Sequence, residues 1–159
     1  MDNCLVDCAD SGSYRDTTTG ACYFLVVDDS DGGIDWNEAK AGCEKLSARL
    51  ATLADVALRD RVLKGLQAGE GVWVGASQQE KTSVGCNGAA DSWTWLTGET
   101  VPNDTTTWTT NQPNDANSNK CEDNEQNCAR TESGSDFRLN DAPCKDEDHP
   151  GVCVRIPKE

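Results

Sequence analysis

Two short polar clusters, Gln112-Pro113-Asn114 and Asn140-Asp141, hold the side chains of this chain best suited to a shared chemical task. Both supply amide and carboxylate oxygens, and the second follows Leu139 and lies three residues before Cys144. Oxygen-only donors match a hard cation such as Ca²⁺. A proline between two donors fixes the backbone so that both side chains can point the same way. Taken alone, Gln112-Pro113-Asn114 reads as only a polar turn, which Pro and Asn favour. The second cluster, at its distance from Cys144, favours the cation.

Other chemistries fit poorly. With a single histidine, His149, and no Ser or Cys beside a base, the sequence offers no activated nucleophile, so an enzyme is not expected. Against 28 acidic side chains stand 14 basic ones, a formal charge of −14. Nucleic acid and anionic membrane would be repelled. The nine cysteines form no CxxC pair, which argues against a zinc finger and for a disulfide framework in an oxidising compartment. Nine is odd, so one thiol is left over. No stretch is apolar enough to span a bilayer and no apolar signal segment opens the chain, so Met1 reads as a bare start or as the place of a removed leader.

One domain is expected over 1–159, with 1–22 as a cysteine-bearing N-terminal extension. Cys22 to Val27 reads as a strand. Residues 28–34 resemble an EF-hand loop but place Val27 at the first ligand position, where no oxygen is available; a solvated turn is the better reading. Asp35 and Glu38 form a capping box for a helix over 35–48, with Trp36, Ala39, Cys43, Leu46 and Leu50 at helical spacing. A second helix is expected from Asp55 to Leu66, ended by Gly69 or Gly71. Strands are expected at 72–76, 92–96, 127–132, 137–140 and 151–156, around a long polar loop over 97–127. The five tryptophans are mostly core. Asn103-Asp104-Thr105 is a weak glycosylation signal.

In this order the features resemble the C-type lectin-like domain over residues 8–157. The carriers are Cys22-Tyr23-Phe24, the Ala39 to Leu50 pattern, Trp73-Val74-Gly75, Trp93-Thr94-Trp95 with Thr97-Gly98, Trp108 ahead of Gln112-Pro113-Asn114, Cys128, Leu139-Asn140-Asp141 with Cys144, and Gly151-Val152-Cys153. The resemblance implies an α+β fold: two helices flanking small antiparallel sheets with a long loop region, stabilised by disulfides. It implies the pairs Cys43–Cys153, Cys128–Cys144 and, as in the long form of the domain, Cys8–Cys22. Cys86 and Cys121 remain, flanking the long loop, and are expected to tether it. Cys4 is then left for an interchain bond in a homodimer, or as a free thiol.

The resemblance also implies a function: a secreted lectin in which Ca²⁺ is held by Gln112, Asn114, Glu125, Asn140 and Asp141, and sugar hydroxyls meet Gln112, Asn114, Glu125 and Asn140. Mannose-type or galactose-type glycans, microbial ones included, are the implied partners. Three departures stand out. The usual glutamate position holds Gln126, so Glu125 is expected to move in. The Gln-Pro-Asn motif is a neutral hybrid, which leaves roughly two protein charges at the ion if Glu125 binds and one if Gln126 does, and places its affinity at about 10⁻⁴–10⁻³ M. Leu139 stands where the family has tryptophan. A second Ca²⁺ site at Ser77-Gln78-Gln79-Glu80 is not expected, for want of carboxylates. The acidic groups Glu122-Asp123 and Asp146-Glu147-Asp148-His149 read as solvated loops, with a divalent ion such as Zn²⁺ at His149 the lesser alternative. The competing function is a lectin-like domain that binds protein, mineral or ice without sugar.

Overall fold

The computed structural model describes residue 8 and residues 12–27, 33–69, 71–78, 93–113, 127–132, 137–145 and 147–156. Among them are eight strands and two helices. The strands are β1 (Tyr14–Arg15), β2 (Cys22–Val26), β3 (Arg49–Leu50), β4 (Trp73–Gln78), β5 (Trp93–Trp95), β6 (Cys128–Thr131), β7 (Leu139–Ala142) and β8 (Gly151–Arg155). The helices are α1 (Trp36–Lys45) and α2 (Val56–Gly65).

The capping box at Asp35 forms as its sequence requires. Asp35 Oδ1 accepts from the Glu38 amide at 2.8 Å and Glu38 Oε2 accepts from the Asp35 amide at 2.9 Å. The helix nonetheless stops at Lys45, short of the expected 48. Ser47 takes a left-handed conformation, φ 56°, and the Ala48 amide turns back to the Cys43 carbonyl at 2.9 Å. This is a Schellman ending without glycine. Leu46 therefore faces solvent, and Leu50, which fits the helical spacing, lies instead in β3. Helix α2 ends the same way at Gln67, φ 52°, with Ala68 bonded to the Leu63 carbonyl at 3.0 Å, so neither Gly69 nor Gly71 is needed.

The small antiparallel sheets merge into one mixed sheet, ordered β1-β2-β8-β4-β6-β7, with β3 on β8 and β5 on β4. The join is a parallel pairing of Trp73 with Gly151, reinforced by the Trp73 amide donating to Pro150 O at 2.8 Å. Gly75 explains how β3 can run so close to β4. A Cβ there would lie 2.5 Å from the Leu50 carbonyl oxygen, and the Gly75 amide instead bonds Ala51 O at 2.8 Å.

All five tryptophans are buried. Two of them lock α1 and its entry segment onto β4: Trp36 Nε1 donates to Val74 O at 2.9 Å and Trp73 Nε1 to Ile34 O at 2.7 Å. Disulfides join Cys8 to Cys22, Cys43 to Cys153 and Cys128 to Cys144. The second spans 110 residues of sequence and staples α1 to β8. In the chain-entropy view a loop of that length contributes about 4–5 kcal/mol. Cys4, Cys86 and Cys121 lie outside the described residues.

The N-terminal hairpin docks on α2 through a buried carboxylate. Asp16, 1% exposed, accepts from the Thr19 hydroxyl at 2.8 Å, the Thr19 amide at 3.1 Å and Arg61 Nε at 3.3 Å. Burial would raise its pKa, but the Thr19 bonds and Arg61 outweigh that and hold it below 3.8.

Candidate functional site

The polar segment after β5 is ordered from Leu96 to Pro113 by a few strong anchors. Asp104 opens a turn: its Oδ1 accepts from Thr106 Oγ1 at 2.9 Å and from the Thr107 amide at 2.8 Å, and its carbonyl accepts the Trp108 amide at 3.0 Å. Bonds from the Thr107 and Thr106 side chains keep the Asp104 carboxyl below its usual pKa. Trp108 then plunges into the core, edge-on to Trp93 with ring centroids 4.9 Å apart.

A buried cation supports this turn from behind. Arg59 on α2 is 0% exposed; its two terminal nitrogens donate to Leu53 O at 3.0 Å and Thr106 O at 3.2 Å. Desolvation lowers its pKa, while Asp104 and Asp55 oppose that shift.

The same segment is stitched to β7. The Leu139 amide donates to Thr107 O at 2.8 Å, and the Thr109 amide donates to Leu139 O at 3.0 Å. The Gln112 amide in turn donates to Thr109 O at 3.0 Å. Gln112 thus sits one turn beyond a residue bonded to Leu139, and Asn140 and Asp141 follow Leu139 directly. Leu139, fully buried, fills the core where it meets both segments.

Of the five expected metal ligands, Gln112, Asn140 and Asp141 are described; Asn114 and Glu125, with Gln126, lie outside the described residues. Asn111 adopts a left-handed φ of 65°, and the Gln112–Pro113 peptide that follows is cis. The Gln112 side-chain oxygen is buried and has no hydrogen-bond partner among the described residues. A native fold rarely leaves an acceptor so, since desolvating it uncompensated costs about 1–3 kcal/mol. Asn140 is half-buried and Asp141 is 2% exposed. An amide oxygen without a partner among the described residues, a second amide and a carboxylate are donor types that suit Ca²⁺.

His149 has a structural setting. Its Nε2 lies 3.0 Å from Glu147 Oε2, which also accepts from Arg130 Nε at 3.1 Å, and its ring stands edge-on to Trp73 at 5.1 Å. Glu147 is therefore tied into the sheet and is not merely solvated. Among the described residues no three His, Cys, Asp or Glu side chains converge. Asp28 to Asp31, Gln79-Glu80, Glu122-Asp123 and Asp146 lie outside the described residues.

Sequence reasoning missed Arg59 and Asp16. Arg59 carries a recoverable signal: it precedes Val62, Leu63 and Leu66 by three, four and seven residues, the spacing of the buried face of α2.

The model of the C-type lectin domain matches residues 33–155. The chain belongs to the C-type lectin domain family. This lectin domain is similar in structure to the mouse scavenger receptor C-type lectin carbohydrate-recognition domain, at 21% identity and TM-score 0.71, covering 94% of this chain and 99% of that one. It is similar to the cow CD23 carbohydrate-recognition domain determined with a GlcNAc2Man3 oligosaccharide, at 25% identity and TM-score 0.63, covering 87% and 90% of the two chains. It is also similar to a calcium-independent type II antifreeze protein, at 21% identity and TM-score 0.65, covering 94% and 95%. No curated protein matches the sequence at a significant level. Among the described residues of the lectin domain, no helix is long and apolar enough to cross a membrane.

Proposed function

We propose that this lectin domain is an extracellular, Ca²⁺-dependent carbohydrate-binding module. One observation carries the reading: the buried oxygen of Gln112, without a hydrogen-bond partner among the described residues, on a segment bonded to the residue that precedes Asn140 and Asp141. Gln112, Asn140 and Asp141, completed by Asn114 and Glu125, would hold the ion. A bound Ca²⁺ would supply open coordination positions that two neighbouring sugar hydroxyls can fill. The protein's own part is orientation and hydrogen bonding. The amide nitrogens of Gln112 and Asn140 can donate to sugar oxygens, whereas Asp141 as a carboxylate can only accept. The disulfides support an oxidising, extracellular location.

Calorimetric titration with Ca²⁺, followed by mannose and galactose, tests the reading. Saturable Ca²⁺ binding and sugar heats that vanish in chelator are expected. A glycan array without Ca²⁺-dependent binding would overturn it. A second reading, binding to protein or mineral surfaces, draws on the absence of a carboxylate at Gln126; there, free monosaccharide would fail to displace the partner.

A further inference from the structure

We propose that Asn103 is the acceptor of an N-linked oligosaccharide. Asn103-Asp104-Thr105 is the one Asn-x-Ser/Thr triplet in the sequence. Such a triplet alone is weak, because many lie where no glycan could stand. Here the fold supplies the missing condition. Residues 102–106 are all exposed, between buried Val101 and buried Thr107.

What holds this exposed tip in place avoids both side chains the modification needs. Pro102 offers its carbonyl to Trp108 Nε1 at 3.0 Å. The side chain of Asp104 closes the turn onto Thr106 and Thr107. The carbonyls of Thr105 and Thr106 accept from Arg138 at 3.1 Å and Arg59 at 3.2 Å. Neither the Asn103 amide nor the Thr105 hydroxyl has a hydrogen-bond partner among the described residues. The turn thus points its backbone at two guanidinium groups and leaves the acceptor amide and its companion hydroxyl in solvent. A glycan at Asn103 displaces no contact that maintains the fold, and the disulfides fit the oxidising compartment where such glycans are attached.

The donor class is an oligosaccharide carried on a lipid pyrophosphate. The Asn103 amide nitrogen bonds to the anomeric carbon as the bond from that carbon to pyrophosphate oxygen breaks. The lipid pyrophosphate leaves with the electron pair, the amide gives up one proton to a base, and no redox change occurs. The proposal is independent of the sugar-binding reading.

The test is secretion of the full chain from eukaryotic cells, with peptide mapping by mass spectrometry before and after peptide-N-glycosidase. The expected result is one removable glycan, with Asp appearing at position 103 after the enzyme. Asn103→Gln and Thr105→Ala should lose the glycan, and Thr105→Ser should keep it. Thr105→Ala should melt with the deglycosylated wild type, because Thr105 serves the fold only through its carbonyl. Secreted, disulfide-bonded wild type with unmodified Asn103, or a glycan that persists in Thr105→Ala, would overturn the proposal.

Discussion

The Thr109 amide donates to the Leu139 carbonyl at 3.0 Å, and this bond joins the segment that carries Gln112 to the strand that carries Asn140 and Asp141. Leu139 is the buried pivot of that junction. Leu139→Ala should therefore cost about 2–5 kcal/mol of folding stability, as large-to-small core changes do. It should also weaken Ca²⁺ binding beyond what a distant core truncation such as Val62→Ala produces. Denaturant unfolding and Ca²⁺ titration of the two variants decide the point; equal Ca²⁺ affinity would mean that Leu139 is core alone.

Gln112 sets stability against binding. Its side-chain oxygen, buried and without a partner among the described residues, is a cost in the metal-free protein, so replacing the side chain with an apolar isostere should help the fold while removing a ligand. Gln112→Met should raise stability in chelator by about 1 kcal/mol, the low end of the penalty for an unsatisfied buried acceptor. The Ca²⁺-induced rise in melting temperature should vanish in the same variant. Melting in chelator and in Ca²⁺, side by side, reads both effects.

Arg59 anchors α2 to the turn at Thr106 with charged hydrogen bonds worth roughly 1.5–3 kcal/mol each. Arg59→Met should remove both and leave two carbonyls without that donor, while Arg59→Lys should recover part of the loss. Chemical unfolding should rank wild type, then Lys, then Met. A Met variant as stable as wild type would show that the guanidinium is dispensable.

The acid limb of stability should depend on Asp16. Its folded pKa is depressed, so its contribution is complete above the ordinary value of 3.8 and is lost as pH falls through the folded value. Asp16→Asn should be less stable than wild type at neutral pH, and the gap should close below 3.8. Melting curves from neutral to strongly acidic pH test this; a gap independent of pH would assign the effect to the hydrogen bonds and not to the charge.

Much of the architecture could be read from local chemistry. Asp35 with Glu38 announces the start of α1, and the alternation of Trp93, Thr94 and Trp95 announces β5. The helix ends were not legible, because Ser47 and Gln67 take the left-handed role that glycine usually signals. Leu50 misled because a strand residue five positions past the helix end kept the helical phase. Gln112, Asn140 and Asp141 stood out by type and spacing, but the Thr107–Leu139–Thr109 stitch that joins their segments consists of backbone bonds and leaves no mark on residue identity. Arg59 and Asp16 stayed hidden for a related reason: a charged residue suggests solvent until its partners are placed around it.

Cys22 pairs with Arg155 across the β2–β8 ladder. Strand β2 therefore waits for β8, the last strand described, before this ladder can close. A chain interrupted anywhere between the two leaves that edge of β2 open.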